Sequence, residues 1–215
     1  MVRTPSVAPE QLRTLARLRA LIQTRGLYLA GGVGVAHYFG HRLSLDLDLF
    51  SLRADFDLER CRDEIIREVQ GASTLALSDA TLRIEIDGAL VDIVKYPYAL
   101  LESPVAGPEQ VPVASMLDLA AMKLAAVAQR GIRRDFWDLH EMLKAEVSFE
   151  QMFDAYSRRY GAAKSDLYHV IRSLSFFEDA ERDSVMPRGL TAAHWLTIRS
   201  FFEQAVPEHA ALLLK

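Results

Sequence analysis

Cysteine is almost missing from this chain. Cys61 is the single one in 215 residues, which excludes an internal disulfide framework and fits a reducing compartment. No stretch of about 18 apolar residues occurs, so no membrane span is expected. The start of the chain lacks the apolar core of a signal peptide, and a cytoplasmic location is the expectation. A surplus of positive charge is absent too. The net charge is −4, which does not advertise nucleic-acid binding. His37, His41, His140, His169, His194 and His209 show no metal-ligand spacing, and there is no internal repeat or low-complexity tract. What remains is ample apolar material. Half the residues are hydrophobic, enough for a real core in one large or two small domains. Cys61 falls on the apolar spacing Leu58, Cys61, Ile65, Val69 and reads as core.

The most informative segment is the run from Arg42 to Phe50. Leu43, Leu45, Leu47 and Leu49 alternate with Arg42, Ser44, Asp46 and Asp48, the period of a half-buried strand whose leucine face sits on the core. Asp46 and Asp48 share the other face, roughly 6.5–7 Å apart along the strand. Like charges so placed repel. They either face solvent or converge on a hard cation such as Mg²⁺, held by carboxylates and substrate phosphates.

Upstream, the apolar strand 27–30 runs into Gly31-Gly32-Val33-Gly34 and then a short helix. Such a turn frees backbone N–H groups for an anion. The spacing is neither that of a dinucleotide fingerprint nor that of a P-loop. The Asp-x-Asp strand follows 14 and 16 residues after Gly32, so a phosphate cradle and a metal clamp fall on neighbouring elements. A third carboxylate is in reach. Segment 81–87 alternates, Asp87-Gly88 signals a hairpin, and Asp92 sits in the otherwise apolar return strand 89–94, where an unpaired carboxylate is costly.

Gly31-Gly32, the pattern His41-Arg42-x-Ser44-x-Asp46-x-Asp48-x-Phe50 and Val91-Asp92-Ile93 followed by Pro97 resemble the AbiEii/AbiGii toxin family of nucleotidyltransferases, within the DNA polymerase β-like superfamily. Segment 115–129, with Lys123, and Arg134-Asp135-Phe136-Trp137-Asp138-Leu139 are similar to that family's lysine-bearing helix and its Arg-Asp-aromatic-x-Asp-Leu segment. The likeness covers roughly residues 25–145. One departure is clear: many superfamily members carry Gly-Ser where this chain has Gly31-Gly32, so here only backbone N–H groups meet a phosphate at that point.

The resemblance implies an Mg²⁺-dependent, pyrophosphate-releasing nucleotidyltransferase using a nucleoside triphosphate. Asp46, Asp48 and Asp92 would form a two-metal site. Gly31 and Gly32 would cradle phosphates, with Arg42, Ser44 and Arg134 also on the nucleotide side. Lys123 would offset pyrophosphate charge, and Asp135 or Asp138 would accept the acceptor's proton or orient Lys123. It further implies a toxin of a toxin–antitoxin or phage-defence pair, with a separately encoded antitoxin and RNA, tRNA included, or a protein hydroxyl as acceptor. Two readings from other classes stand beside it: a metal-dependent phosphohydrolase or nuclease, and a catalytically silent binding protein.

The expected architecture is α+β followed by α: a nucleotidyltransferase-type mixed sheet with helices over 1–110, an all-helical domain over 111–215, and the active site between them. A Pro-rich linker is read at 95–115. Ser115 and Asp118 form a capping box, and Gly131 stops the helix bearing Lys123. That helix is mostly apolar, so Lys123 either snorkels to the surface or meets phosphate in a cleft. Further helices are expected at 149–160, 166–179 and 191–204. Phe176, Phe177, Trp195, Phe201 and Phe202 are assigned to the core. On helix 9–25, Arg13, Arg17, Arg19 and Arg25, with Arg3, form a basic face, either solvated or drawn to an RNA backbone.

Overall fold

A computed structural model describes residues 7–145 and 147–213; Arg3 and the rest of the first six residues lie outside it. In chain order the elements are α1 (Pro9–Arg25), β1 (Leu27–Leu29), α2 (Gly31–Phe39), β2 (Asp46–Ser51), α3 (Leu58–Glu68), β3 (Ala72–Leu77), β4 (Thr81–Ile86), β5 (Ala89–Lys95), β6 (Val105–Ala106) and β7 (Pro112–Val113). The helices α4 (Met116–Arg130), α5 (Arg133–Lys144), α6 (Phe149–Tyr160), α7 (Lys164–Ser173), α8 (Glu178–Arg182) and α9 (Ala192–Leu213) follow. The chain divides into two compact units, residues 1–115 and 116–215. Among the described residues, no helix is long and apolar enough to cross a membrane.

The first unit is a seven-stranded mixed sheet in the order β3-β4-β5-β2-β1-β7-β6. Its middle is the parallel pair β2–β5, flanked by antiparallel β4 and β1. Leu47, Leu49, Val91 and Ile93 are fully buried on one face, with Leu82, Ile84 and Ile86 beside them and Leu15, Leu18 and Ile22 of α1 in the same core. Each such side chain contributes roughly 1.5–3 kcal/mol on burial, which fixes strand register, because a one-residue slip would turn this face outward. The hairpin joining β4 to β5 turns on Asp87 and Gly88, both with positive φ, the two-residue turn whose twist suits antiparallel strands.

Three sequence expectations change here. The alternating strand begins at Asp46, not Arg42, and Leu45 is 71% exposed while Arg42 is buried. Residues 42–45 form a loop, tied down by Gln11, whose Nε2 donates to the carbonyls of Ser44 and Leu45, both at 2.9 Å. The linker read at 95–115 contributes β6 and β7 to the sheet, β7 pairing parallel with β1 at Leu29–Val113. Val111 and Val113 are fully buried, and the first unit therefore runs to Ser115 rather than ending at 110. The basic face of α1 is partly neutralised: Arg17 pairs with Asp87 and Arg25 with Glu64.

The second unit is helical. Ser148 caps α6 by accepting from Gln151 N at 3.2 Å, and Gln151 Oε1 accepts from Ser148 N at 2.8 Å. Helix α4 stops before Gly131, at φ +47°. Asp118, read as half of a capping box, is fully buried and ion-paired with Arg159 of α6. Phe136 of α5 centres an aromatic cluster with Phe177, Trp195 and Phe202. The helix expected over 166–179 breaks after Ser173. The break turns Phe177 inward and leaves Phe176, expected in the core, 50% exposed.

Candidate active site

Strand pairing decides which carboxylates meet. In the parallel pair β2–β5, Asp48 lies directly opposite Asp92 and Asp46 opposite Leu90. Asp46 and Asp48 are two residues apart, and residues opposite in register share a face. All three carboxylates therefore lie on the side of the sheet opposite Leu47, Leu49, Val91 and Ile93. All three are partly exposed. The sequence reading, which proposed the three residues without a register, had no means of showing this adjacency.

The glycine turn is built around the same aspartate. Gly31 opens α2 at φ +58°, and a Cβ on it would lie 1.9 Å from Asp48 Oδ2. A side chain here is excluded twice, by backbone conformation and by the carboxylate. Ala30 N donates to the Asp48 carbonyl at 3.0 Å, which locks the start of α2 to β2. At Gly32, a Cβ would fall 2.3 Å from Ser44 Oγ and 2.7 Å from the Arg42 guanidinium. The departure from Gly-Ser thus has a packing reason: Ser44 and buried Arg42 fill the space that a serine at position 32 would need.

Arg83 is the residue that sequence reasoning missed. It stands opposite Asp92 in the antiparallel pair β4–β5 and binds it in a fork, Nε to Oδ1 at 2.7 Å and Nη2 to Oδ2 at 2.6 Å. The hydrogen bond to Asp92 and its charge, with Asp46 and Asp48 adding to it, hold the Arg83 guanidinium above its ordinary pKa. Bidentate arginine–carboxylate pairs are strong and directional. The signal was present in the chain, since counting outward from the two-residue turn at 87–88 puts residue 83 across from residue 92.

In the helical unit Lys123 sits in a buried ionic knot. Lys123 is 5% exposed and neither snorkels nor presents a free charge. Its Nζ lies 3.0 Å from Asp135 Oδ1 and 2.7 Å from Asp138 Oδ2, both carboxylates being fully buried. Arg130 forks onto Asp135 at 2.9 and 3.1 Å. Burial pushes the Asp135 carboxyl up, but Lys123 and Arg130 outweigh it and hold the group below its ordinary value. Asp135 and Asp138 thus both contact Lys123 Nζ. Arg134 is exposed on α5, whereas its neighbour Arg133 is buried and donates to the carbonyls of Asp183 and Glu181.

The carboxylate triad suits a hard divalent cation. Its donors are all oxygen, they lie on adjacent strands, and the Arg83 guanidinium is a counter-charge at Asp92.

Comparison with known proteins adds a family. Residues 69–213 match the model described as "Nucleotidyl transferase AbiEii toxin, Type IV TA system". The matched segment contains Arg83, Asp92, Lys123, Asp135 and Asp138 and begins after β2. The uncharacterized protein aq_aa25 of Aquifex aeolicus (strain VF5) is 29% identical over 209 residues, 93% of this chain and 96% of that one. Among solved structures, MenT4, a nucleotidyltransferase toxin from Mycobacterium tuberculosis H37Rv, superposes with a TM-score of 0.60 at 15% identity, over 92% of this chain and 82% of that one. At that identity the likeness is one of fold.

Proposed function

This chain belongs to the AbiEii family of nucleotidyltransferase toxins, and from that premise we propose that it moves a nucleoside monophosphate from a nucleoside triphosphate to an RNA hydroxyl, tRNA included. The reaction uses Mg²⁺, and the chain acts in the cytoplasm as the toxin of a pair with a separately encoded antitoxin. The observation that carries the chemistry is the register of β2 on β5, which brings Asp48 and Asp92 opposite each other with Asp46 beside them.

Asp46, Asp48 and Asp92 would hold the cation. A cation held there would polarise phosphoryl oxygens and lower the pKa of the attacking hydroxyl. Gly31 and Gly32 leave backbone N–H groups at the start of α2 open to phosphate. Arg42 and Ser44 brace that turn from the side. The acceptor oxygen forms a bond to the α-phosphorus as the bond to pyrophosphate breaks, and the hydroxyl proton leaves toward the Asp92 side of the triad. Arg83 holds Asp92 in place through its two-pronged contact. In the helical unit, Lys123, Asp135 and Asp138 serve as an ionic brace.

The test is incubation of the full chain and of Asp48→Asn with each of four labelled triphosphates, Mg²⁺, and total RNA or the protein itself as acceptor. Pyrophosphate release with label on RNA, lost in Asp48→Asn, is the expected result. Label on the protein itself would replace the acceptor. Free phosphate or cut RNA would make the chain a phosphohydrolase or nuclease. No turnover, with no heat on titrating Mg²⁺ and triphosphate, would make it a silent binding protein.

A further inference from the structure

Far from the aspartate triad in sequence, the helical unit gathers a second set of ligating side chains. α5 supplies His140 and Glu141, and α9 supplies His194. One ligand atom from each lies within 4.8 Å of the other two. The His140 side chain is only 9% exposed. Its Nδ1 is buried without a hydrogen-bond partner, and lies 3.5 Å from Glu141 Oε1. A buried ring nitrogen left unsatisfied is costly, and a ligand would remove that cost. The His140 and His194 ring centroids are 6.4 Å apart. Two imidazoles on one tetrahedral ion, at nitrogen–metal distances of about 2.0–2.1 Å, have centroids about 5–6 Å apart. A rotation of the more exposed His194 would close the gap. Trp137 packs at 5.4 Å from His194 and Phe201 at 5.0 Å from His140, so the pair has apolar walls.

We propose that His140, Glu141 and His194 form a site for a zinc-class divalent cation, with water in the fourth position. Two imidazoles and one carboxylate match zinc rather than magnesium, so the two sites of this chain differ in the metal that they select. Glu141 also pairs with Lys144 Nζ at 3.1 Å. Lys144 is largely exposed and gives up that partner at little cost. Occupied, the site ties α5, which carries Asp135 and Asp138, to α9.

The test uses the full chain stripped by a chelator, titrated with Co²⁺ as a visible-absorption probe and then with Zn²⁺ in competition. The proteins are wild type, Asp48→Asn, His194→Ala and Glu141→Gln. Wild type and Asp48→Asn should show the absorption of four-coordinate Co²⁺ at one ion per chain, displaced by Zn²⁺. His194→Ala and Glu141→Gln, checked as folded by circular dichroism, should lose the band and bind Zn²⁺ at least about tenfold more weakly. No four-coordinate band in wild type would overturn the site. So would a band and an affinity shared by wild type and both ligand variants.

Discussion

Lys123→Met is the most demanding test of the ionic knot. Methionine keeps the buried stem and removes the ammonium, leaving Asp138 fully buried without its 2.7 Å ion-pair partner. Asp135 keeps Arg130, whose guanidinium is half exposed. Breaking a buried ion pair from one side costs about 3–5 kcal/mol. For a chain of this size, about 2–4 °C of melting temperature is lost per kcal/mol, giving a fall of about 6–20 °C. The helical unit should carry that loss, read by the melting of its helices in circular dichroism. Adding Asp138→Asn should recover part of it, because the buried charge that lost its lysine is gone. Acid sharpens the test. Asp135 titrates below its ordinary value of 3.8 in the folded wild type, so its contribution is present above that value and fades as pH falls through the lowered one. Without Lys123 the folded value rises, and acid unfolding should begin at higher pH. A melting shift under about 3 °C, with an unmoved acid transition, would refute the reasoning, since even 1 kcal/mol would give about that much.

Other outcomes follow from the first unit. Arg83→Met should cost under about 1 kcal/mol, because the arginine is half exposed and solvent-screened. It should also tighten Mn²⁺ binding by calorimetry several-fold; unchanged or weaker binding would remove Arg83 as the competing counter-charge. Gly31→Ala places a Cβ 1.9 Å from Asp48 Oδ2 at φ +58°. It should lose about 1–2 kcal/mol from the left-handed backbone alone and nearly all turnover, and wild-type turnover would show that the turn is not coupled to Asp48. Burial, with a smaller contribution from Glu64 and Asp57, pushes the Cys61 thiol up to about 12 despite nearby Arg25. The native protein should therefore resist disulfide reagents at pH 8 and react fully in denaturant, and rapid native labelling would contradict its placement in the core.

Where local rules govern, the chain was readable. Leu47 and Leu49 alternate with Asp46 and Asp48 and are buried, and Ser148 with Gln151 starts α6. Residues 42–45 misled because their alternation continues the strand pattern, while Gln11, more than thirty residues earlier, holds them as a loop. The juxtaposition of Asp48 with Asp92 was not legible, since parallel pairing spans α3, β3 and β4 and no local signal sets its register. Lys123 shows the same limit. An apolar helix with one lysine is compatible with several orientations, and the partners arrive only when α5 folds back against α4. His140 and His194 are 54 positions apart in the chain, which no spacing rule covers.

The Arg83–Asp92 fork also bears on the order in which this molecule assembles. Its partners are nine residues apart across a two-residue turn, so the hairpin can close with little loss of chain entropy. The pairing of β2 with β5 must instead close a loop from residue 48 to residue 92, and such long-range contacts form late. On that order Asp92 would reach Asp46 and Asp48 with its charge already matched. A carboxylate delivered bare would push against two others at the moment of docking. Delivered with its arginine, it lets the central strands join before any cation is present, so that the sheet can be completed first and the proposed cation would enter afterwards.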